Sequence, residues 1–195
     1  MFEGFQPRRR GGAVATLSAV EADLLRSLAA QMVELLRSEE AVQPTDVDPL
    51  ENLLDFDGPT TAPDDPVLAR LFPTAYRDDE ESAADFRRFT ETQLRDGKAT
   101  RALRVIQTLE EAGLPPHVGD ERLVIDVELD PPEAMEWMKA ITDLRLALGV
   151  RLGVEQDDEE FWEALPEDDP RVQVHDIYDW LAFLQESLVR AVAGR

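Results

Sequence analysis

"RLVIDVELDPPEAMEWMKAITDLRLALG", residues 122–149, changes its period halfway along. As far as Leu129, the apolar residues Leu123, Ile125, Val127 and Leu129 alternate with their neighbours, the pattern of a half-buried strand. Beyond Asp130-Pro131, the residues Ala134, Trp137, Met138, Ile141, Leu144 and Leu148 recur at helical spacing. Asp130 is placed to accept backbone N–H bonds at the helix start, Pro131 suits a first turn that needs no N–H, and Glu133 completes a capping box. Gly149 and Gly153 are expected to loosen the far end. The same device stands near the N-terminus, where "TLSAVEA" (16–22) parallels "ELDPPEA" (128–134), with Glu21 matching Glu133 and Leu25 matching Trp137. We read this as one local grammar used twice rather than as a duplication. It predicts a small sheet with a long helix leaving each of two strands.

Outward from these motifs the chain is mostly helical. Phe2 to Gln6 and Ala13 to Leu17 are short strand candidates around "PRRRGG", where Gly11-Gly12 permits the positive φ of a hairpin turn. The helix capped by Ser18 places Leu24, Leu25, Leu28, Met32, Leu35 and Leu36 inward. Residues 38–69 hold nine acids, no base and five prolines, which predicts an acidic, proline-rich surface excursion. Short helices are expected within it at Asp48-Pro49 and Asp65-Pro66. Two further helices are expected over about 79–96 and 99–112, separated near Gly97, the second with Leu103, Ile106 and Leu109 on one face. Gly113 before Leu114-Pro115-Pro116 is a stop. A last helix carries Val174, Ile177, Tyr178, Leu181, Leu184, Leu188 and Val192 as its apolar stripe. The fold class is therefore mainly α: an antiparallel helical bundle with a small β element, the N-terminal hairpin plus one strand near 122–129. A length of 195 residues suits one domain, 1–195.

Composition narrows the function. The formal net charge is −22, which repels phosphate and anionic lipid, so a partner protein with a basic surface is a more natural contact than nucleic acid or membrane. There is no cysteine, which excludes disulfides, thiolate metal sites and cysteine nucleophiles. No apolar run approaches the length of a membrane span, and the arginines near the N-terminus are not followed by a signal-peptide core, so a cytoplasmic protein is expected.

The conspicuous residues have mostly structural explanations. Asp78, Asp79, Glu80 and Glu81 open a helix, where carboxylates complement the dipole and Asp78 with Glu81 can cap it. Arg87, Glu91 and Arg95 are spaced four apart and are expected to pair on an exposed face, each pair contributing a few tenths of a kcal/mol. His175 and Asp179 share a helix face, but with two histidines in the chain a metal site finds few ligands, and no metal or cofactor is expected. No nucleophile motif or P-loop is present, and no catalytic residue is assigned. Asp143, Arg145 and Arg151 interrupt an apolar helix, which reads as an ion-pair network or, less simply, as a partner or anion contact. Two surface candidates remain. Asp157, Asp158, Glu159 and Glu160 lie in a stretch of nine acids and no base from Glu155 to Asp169, suited to a basic partner. Arg8, Arg9 and Arg10 at the hairpin tip form the concentrated basic feature, suited to a phosphate backbone.

Four segments, "LSAVEADLLRSLAAQMVELL", "DDPVLARLFPTAYRDDEESAADFRRFTE", "MEWMKAITDLRLALGVRLG" and "IYDWLAFLQESLV", together resemble the actinobacterial family catalogued as domain of unknown function 2017, also called the actinomycete oxidative-stress transcriptional regulator family. The resemblance spans nearly the whole chain. It implies a cytoplasmic, non-enzymatic regulator acting with a stress sigma factor or RNA polymerase on genes of cysteine biosynthesis. The alternative it implies is an interaction module for neighbouring Clp proteolysis or sulfur-carrier machinery. The cysteine pair attributed to some members has no counterpart in this chain.

Overall fold

The computed structural model describes residues 4–9, 11–38, 58–120, 122–156, 158–166 and 168–194. Strands β1 (Gln6–Pro7), β2 (Ala13–Ser18) and β3 (Val124–Leu129) form an antiparallel sheet in the order β1-β2-β3. β2 pairs with β3 from Ala13 opposite Leu129 to Ser18 opposite Val124. This register puts Ala13, Ala15, Leu17, Ile125, Val127 and Leu129 into the core, while Thr16 on the outer face donates to Asp126 Oδ1 at 2.7 Å. Gly12, at φ +86°, makes the turn close: a Cβ there would stand 2.0 Å from the Leu129 carbonyl oxygen. The first strand is shorter and later than Phe2 to Gln6, because Gly4 turns at φ +74° and Phe5 leaves the sheet. The Phe5 N–H donates to Ser187 Oγ at 3.0 Å and its ring meets the edge of Trp137 at 5.9 Å. Phe2 lies outside the described residues.

Both cap motifs form as read. Helix α1 (Ala19–Ser38) begins with Ser18 and Glu21 exchanging bonds of 2.8 and 3.2 Å. Helix α4 (Pro131–Leu152) has the same box from Asp130 and Glu133. The matched residues Leu25 and Trp137 are both fully buried one turn further on. Asp65 caps α2 (Pro66–Leu71), and Asp169 caps α6 (Pro170–Ala193). The Asp48-Pro49 motif lies outside the described residues. A short helix α5 (Glu159–Glu163) precedes α6. Gly149 stays within α4, so only Gly153, left-handed at φ +72°, ends that helix. Met138 and Leu148 sit at the margin of the core, while Ala140 and Asp143 are buried with Trp137, Ile141 and Leu144.

The expected pair of helices near Gly97 is one. Helix α3 (Glu80–Glu111) runs unbroken for 32 residues. A glycine inside a helix costs about 1 kcal/mol relative to alanine, too little to break a helix whose two halves pack along the same side. The buried positions Arg87, Glu91, Arg95, Ala99, Ala102, Val105 and Leu109 form one continuous stripe across it. Leu103, expected inward, is exposed, and Ile106 is only half-buried. At the N-terminus the cap is Asp79, whose carboxylate accepts the Ser82 N–H at 3.0 Å, not Asp78. Among the described residues, α1–α6 and the three strands thus form a helical bundle carrying a small sheet, as the periodicities imply.

The charged pairs of α3 are buried rather than exposed. Arg87, Glu91 and Arg95 retain 7%, 2% and 5% of their surface. Glu91 receives Arg87 Nη1 on Oε2 and Arg95 Nη2 on Oε1, the latter at 2.7 Å. The outer nitrogens reach other helices: Arg87 Nη2 donates to the Phe72 carbonyl at 3.3 Å and Arg95 Nη1 to the Leu36 carbonyl at 3.2 Å. The Arg95 guanidinium also lies 5.0 Å from the Phe72 ring. Removing the shared carboxylate leaves two buried cations, so Glu91→Ala is expected to lower unfolding stability by about 3–5 kcal/mol in urea titration. A loss below about 1 kcal/mol would show that these side chains are solvated.

Candidate functional site

The acidic set expected to meet a partner divides. Asp158 turns inward and is half-buried: one oxygen, Oδ2, accepts the Glu155 N–H at 2.8 Å and the Trp162 Nε1–H at 2.8 Å. These bonds, the Glu155 N–H first and the indole second, hold its carboxyl below the ordinary aspartate value of 3.8, with a contribution from the charge of His175. Trp162 in turn stacks on His175, centroids 4.4 Å apart and 20° from parallel, and so pins α5 to α6. Glu160 is exposed, Glu159 opens α5, and Asp157 lies outside the described residues. Asp158 is therefore a fastener of the acidic turn, with Glu160 its outward face. The signal in the sequence was Trp162, four residues after Asp158.

At the hairpin tip, Arg8 is bound back onto the sheet, with Nη2 2.6 Å from Glu128 Oε2 of β3. Arg9 is exposed, and Arg10 lies outside the described residues. The structure thus leaves Arg9 presented to solvent and sets Arg8 against an acid. His175 Nδ1 faces Asp179 Oδ2 at 3.5 Å on one helix, while its ring is covered by Trp162. Among the described residues no three His, Asp or Glu side chains converge as a metal site.

The interrupting residues of α4 each find a different neighbour. Asp143, 6% exposed, takes Lys98 Nζ at 2.6 Å, with Arg101 at 4.0 Å. Arg151 reaches Asp65 Oδ2 at 2.8 Å and ties the end of α4 to the cap of α2. Arg145 has no carboxylate within ion-pair distance among the described residues. Its Nη1 donates to Gln185 Oε1 at 2.7 Å, Gln185 Nε2 donates to Thr142 Oγ1 at 2.6 Å, and the Thr142 hydroxyl donates to the Met138 carbonyl at 2.8 Å. The guanidinium carbon lies 5.0 Å from the centre of the Tyr178 ring. These groups form the wall of a cleft of about 580 Å³ between α4 and α6. Arg145 was conspicuous in the sequence. Gln185 and Thr142 were not, because nothing local marks two neutral polar residues 43 positions apart as partners.

The family described as "Domain of unknown function (DUF2017)" matches residues 2–192. The chain is 33% identical over 194 residues to the oxidative stress regulator AosR of Mycobacterium tuberculosis (strain ATCC 25618 / H37Rv), covering 92% of this chain and 82% of that one. It is also 33% identical over 186 residues to the putative oxidative stress regulator AosR of Mycobacterium leprae (strain TN), covering 88% and 78%. No solved structure matches.

The Asp158 fastener has a definite pH dependence. A carboxyl with a lowered folded pKa contributes stability that is complete above its unfolded value and is lost as pH falls through the folded one. The Trp162 indole N–H resonance is therefore expected to hold steady down to about pH 4 and to shift below it, whereas in Asp158→Asn that acid transition disappears. A transition centred near neutrality, or one unchanged in Asp158→Asn, would show that another group fastens the turn.

Proposed function

We infer the role of this chain from its family: it belongs to the DUF2017 family, and its curated relatives carry the name oxidative stress regulator. The reading is a cytoplasmic, non-enzymatic transcriptional regulator of oxidative-stress and cysteine-biosynthesis genes. It works by contact with a partner protein that has a basic surface, a sigma factor or an RNA polymerase subunit. The observation that carries it is the agreement, over 92% of the chain, with proteins named as regulators.

Two features of the molecule support a contact role. Among the described residues, the carboxyls with a lowered pKa are Asp65, Asp79 and Asp169, which cap helices, and Asp158, which binds the Glu155 N–H and the Trp162 indole, so the shifts accompany structural bonds. Asp169 is lowered to about 2, first by the Arg171 side chain and then by its N–H. Second, the net charge of −22 favours encounter with a cation-rich surface and disfavours unaided DNA binding. With no cysteine, this chain does not switch through a thiol of its own, and oxidant is sensed by the partner or upstream of it.

The test is capture of tagged full-length protein with its bound partners from its own cytoplasm. Recovery of sigma factor or polymerase subunits supports the reading. Recovery of Clp or sulfur-carrier components instead moves the chain to a proteolysis or sulfur module. Association is expected to weaken steeply between about 50 and 300 mM salt, mainly through a slower on-rate. Neutralising the exposed Glu160, Glu163 and Asp168 should weaken it further without altering the fold. Promoter DNA bound by the isolated chain and lost in Arg8→Ala/Arg9→Ala would replace the protein-contact reading with direct DNA binding.

Hydrogen peroxide provides a separate check. Met135 is 45% exposed whereas Met32 is 4% exposed, so Met135 is expected to oxidise before Met32, measured by peptide mass spectrometry. The product is a sulfoxide, which dithiothreitol does not reverse as it would a disulfide. A fast, dithiothreitol-reversible change in partner affinity of the purified chain would contradict the assignment of sensing to another protein.

A further inference from the structure

We propose that the cleft bounded by α2, α4 and α6 binds a small organic monocarboxylate with an apolar body. Its volume of about 580 Å³ falls in the range of small-molecule sites, about 300–1,000 Å³, and far exceeds a bare ion. Two guanidiniums line it, Arg145 and Arg70, and neither makes an ion pair among the described residues. Two cations without an ion pair thus share one concavity, whereas Arg151, at the end of the same helix as Arg145, has the Asp65 carboxylate.

Arg145 is held ready for an anion. Gln185, oriented by Thr142, takes Nη1 without neutralising the charge. Nε is buried and has no acceptor. Nη2 makes only a long contact of 3.5 Å with the Tyr178 hydroxyl, whose own proton remains available to a ligand oxygen. Guanidinium donors in a fixed plane match the two oxygens of a carboxylate. Glu155 also lines the cleft, so the formal charge of the lining side chains is two cations less one anion, suited to a singly charged head rather than a phosphate dianion. Leu146, Val150 and Val154 supply an aliphatic wall for the rest of the molecule. Gly149 keeps that space open: a Cβ on it would already stand 3.4 Å from the Tyr178 ring.

The test uses the full chain with phenylacetate, its uncharged analogue 2-phenylethanol, and phenyl phosphate as probes. Binding is followed by calorimetry and by the side-chain Nε–H resonance of Arg145, assigned by its loss in Arg145→Lys. Phenylacetate is expected to shift that resonance and to bind at least about tenfold more tightly than 2-phenylethanol. Arg70→Ala, at an exposed position, should weaken phenylacetate severalfold while leaving the thermal midpoint unchanged. Equal affinity for acid and alcohol, or a still resonance at saturating phenylacetate, overturns the proposal. Tighter binding of phenyl phosphate overturns the carboxylate assignment.

Discussion

The buried Arg87–Glu91–Arg95 ladder is the constraint around which the helices are arranged. One carboxylate serves two guanidiniums, and each guanidinium also donates to the carbonyl end of another helix: Arg95 to Leu36 in the last turn of α1 and Arg87 to Phe72 just past α2. Carbonyls at the last turn of a helix carry the negative end of its dipole, so a cation is the favoured group there. Three helices are thereby joined at one point on α3. Because hydrogen bonds are directional, sliding α3 by a residue would strand a buried charge, a far larger cost than a shifted leucine. Further along the same helix, Lys98 takes Asp143 of α4, extending polar contact to a fourth element before the stripe turns apolar at Ala99.

What could be read in the sequence followed from how local its cause was. The boxes of Ser18/Glu21 and Asp130/Glu133, the proline-led cap at Asp65, and the stop at Gly113 all act within a few residues, and all are where their motifs place them. The strand at Val124–Leu129 likewise follows its alternation. The α3 ladder was misplaced on the surface because spacing of four looks the same on either face. Its burial depends on Phe72 and Leu36, 15 and 59 residues distant from the arginines that reach them. The candidate site shows the same division. Arg145 stood out within an apolar helix, but that it faces Gln185, 40 residues on, and no acid is a fact of tertiary structure. Asp158 was indistinguishable within a run of acids until its bond to Trp162 set it apart from Glu160.

The negative charge is therefore of two kinds. Some carboxylates are committed to helix ends or to buried cations, and they hold the fold. Others, such as Glu160 and Glu163, are exposed and shape the field that an approaching protein meets.

The three-stranded sheet has an open flank. With the order β1-β2-β3, one side of β3 has no neighbouring strand among the described residues, and the two-residue β1 pairs with Ala13 and Val14 of β2. Unpaired strand edges invite pairing between molecules, and charged side chains along them discourage it. Asp126 and Glu128 supply that charge on β3, beside an exposed Val124. Mutual repulsion of whole molecules vanishes near the sequence pI of about 4.3, while Asp79 and Asp169 at their helix ends and Asp158 at its turn are held below the ordinary aspartate value. Acidification thus removes the charge that discourages association at this flank while these carboxylates remain ionised.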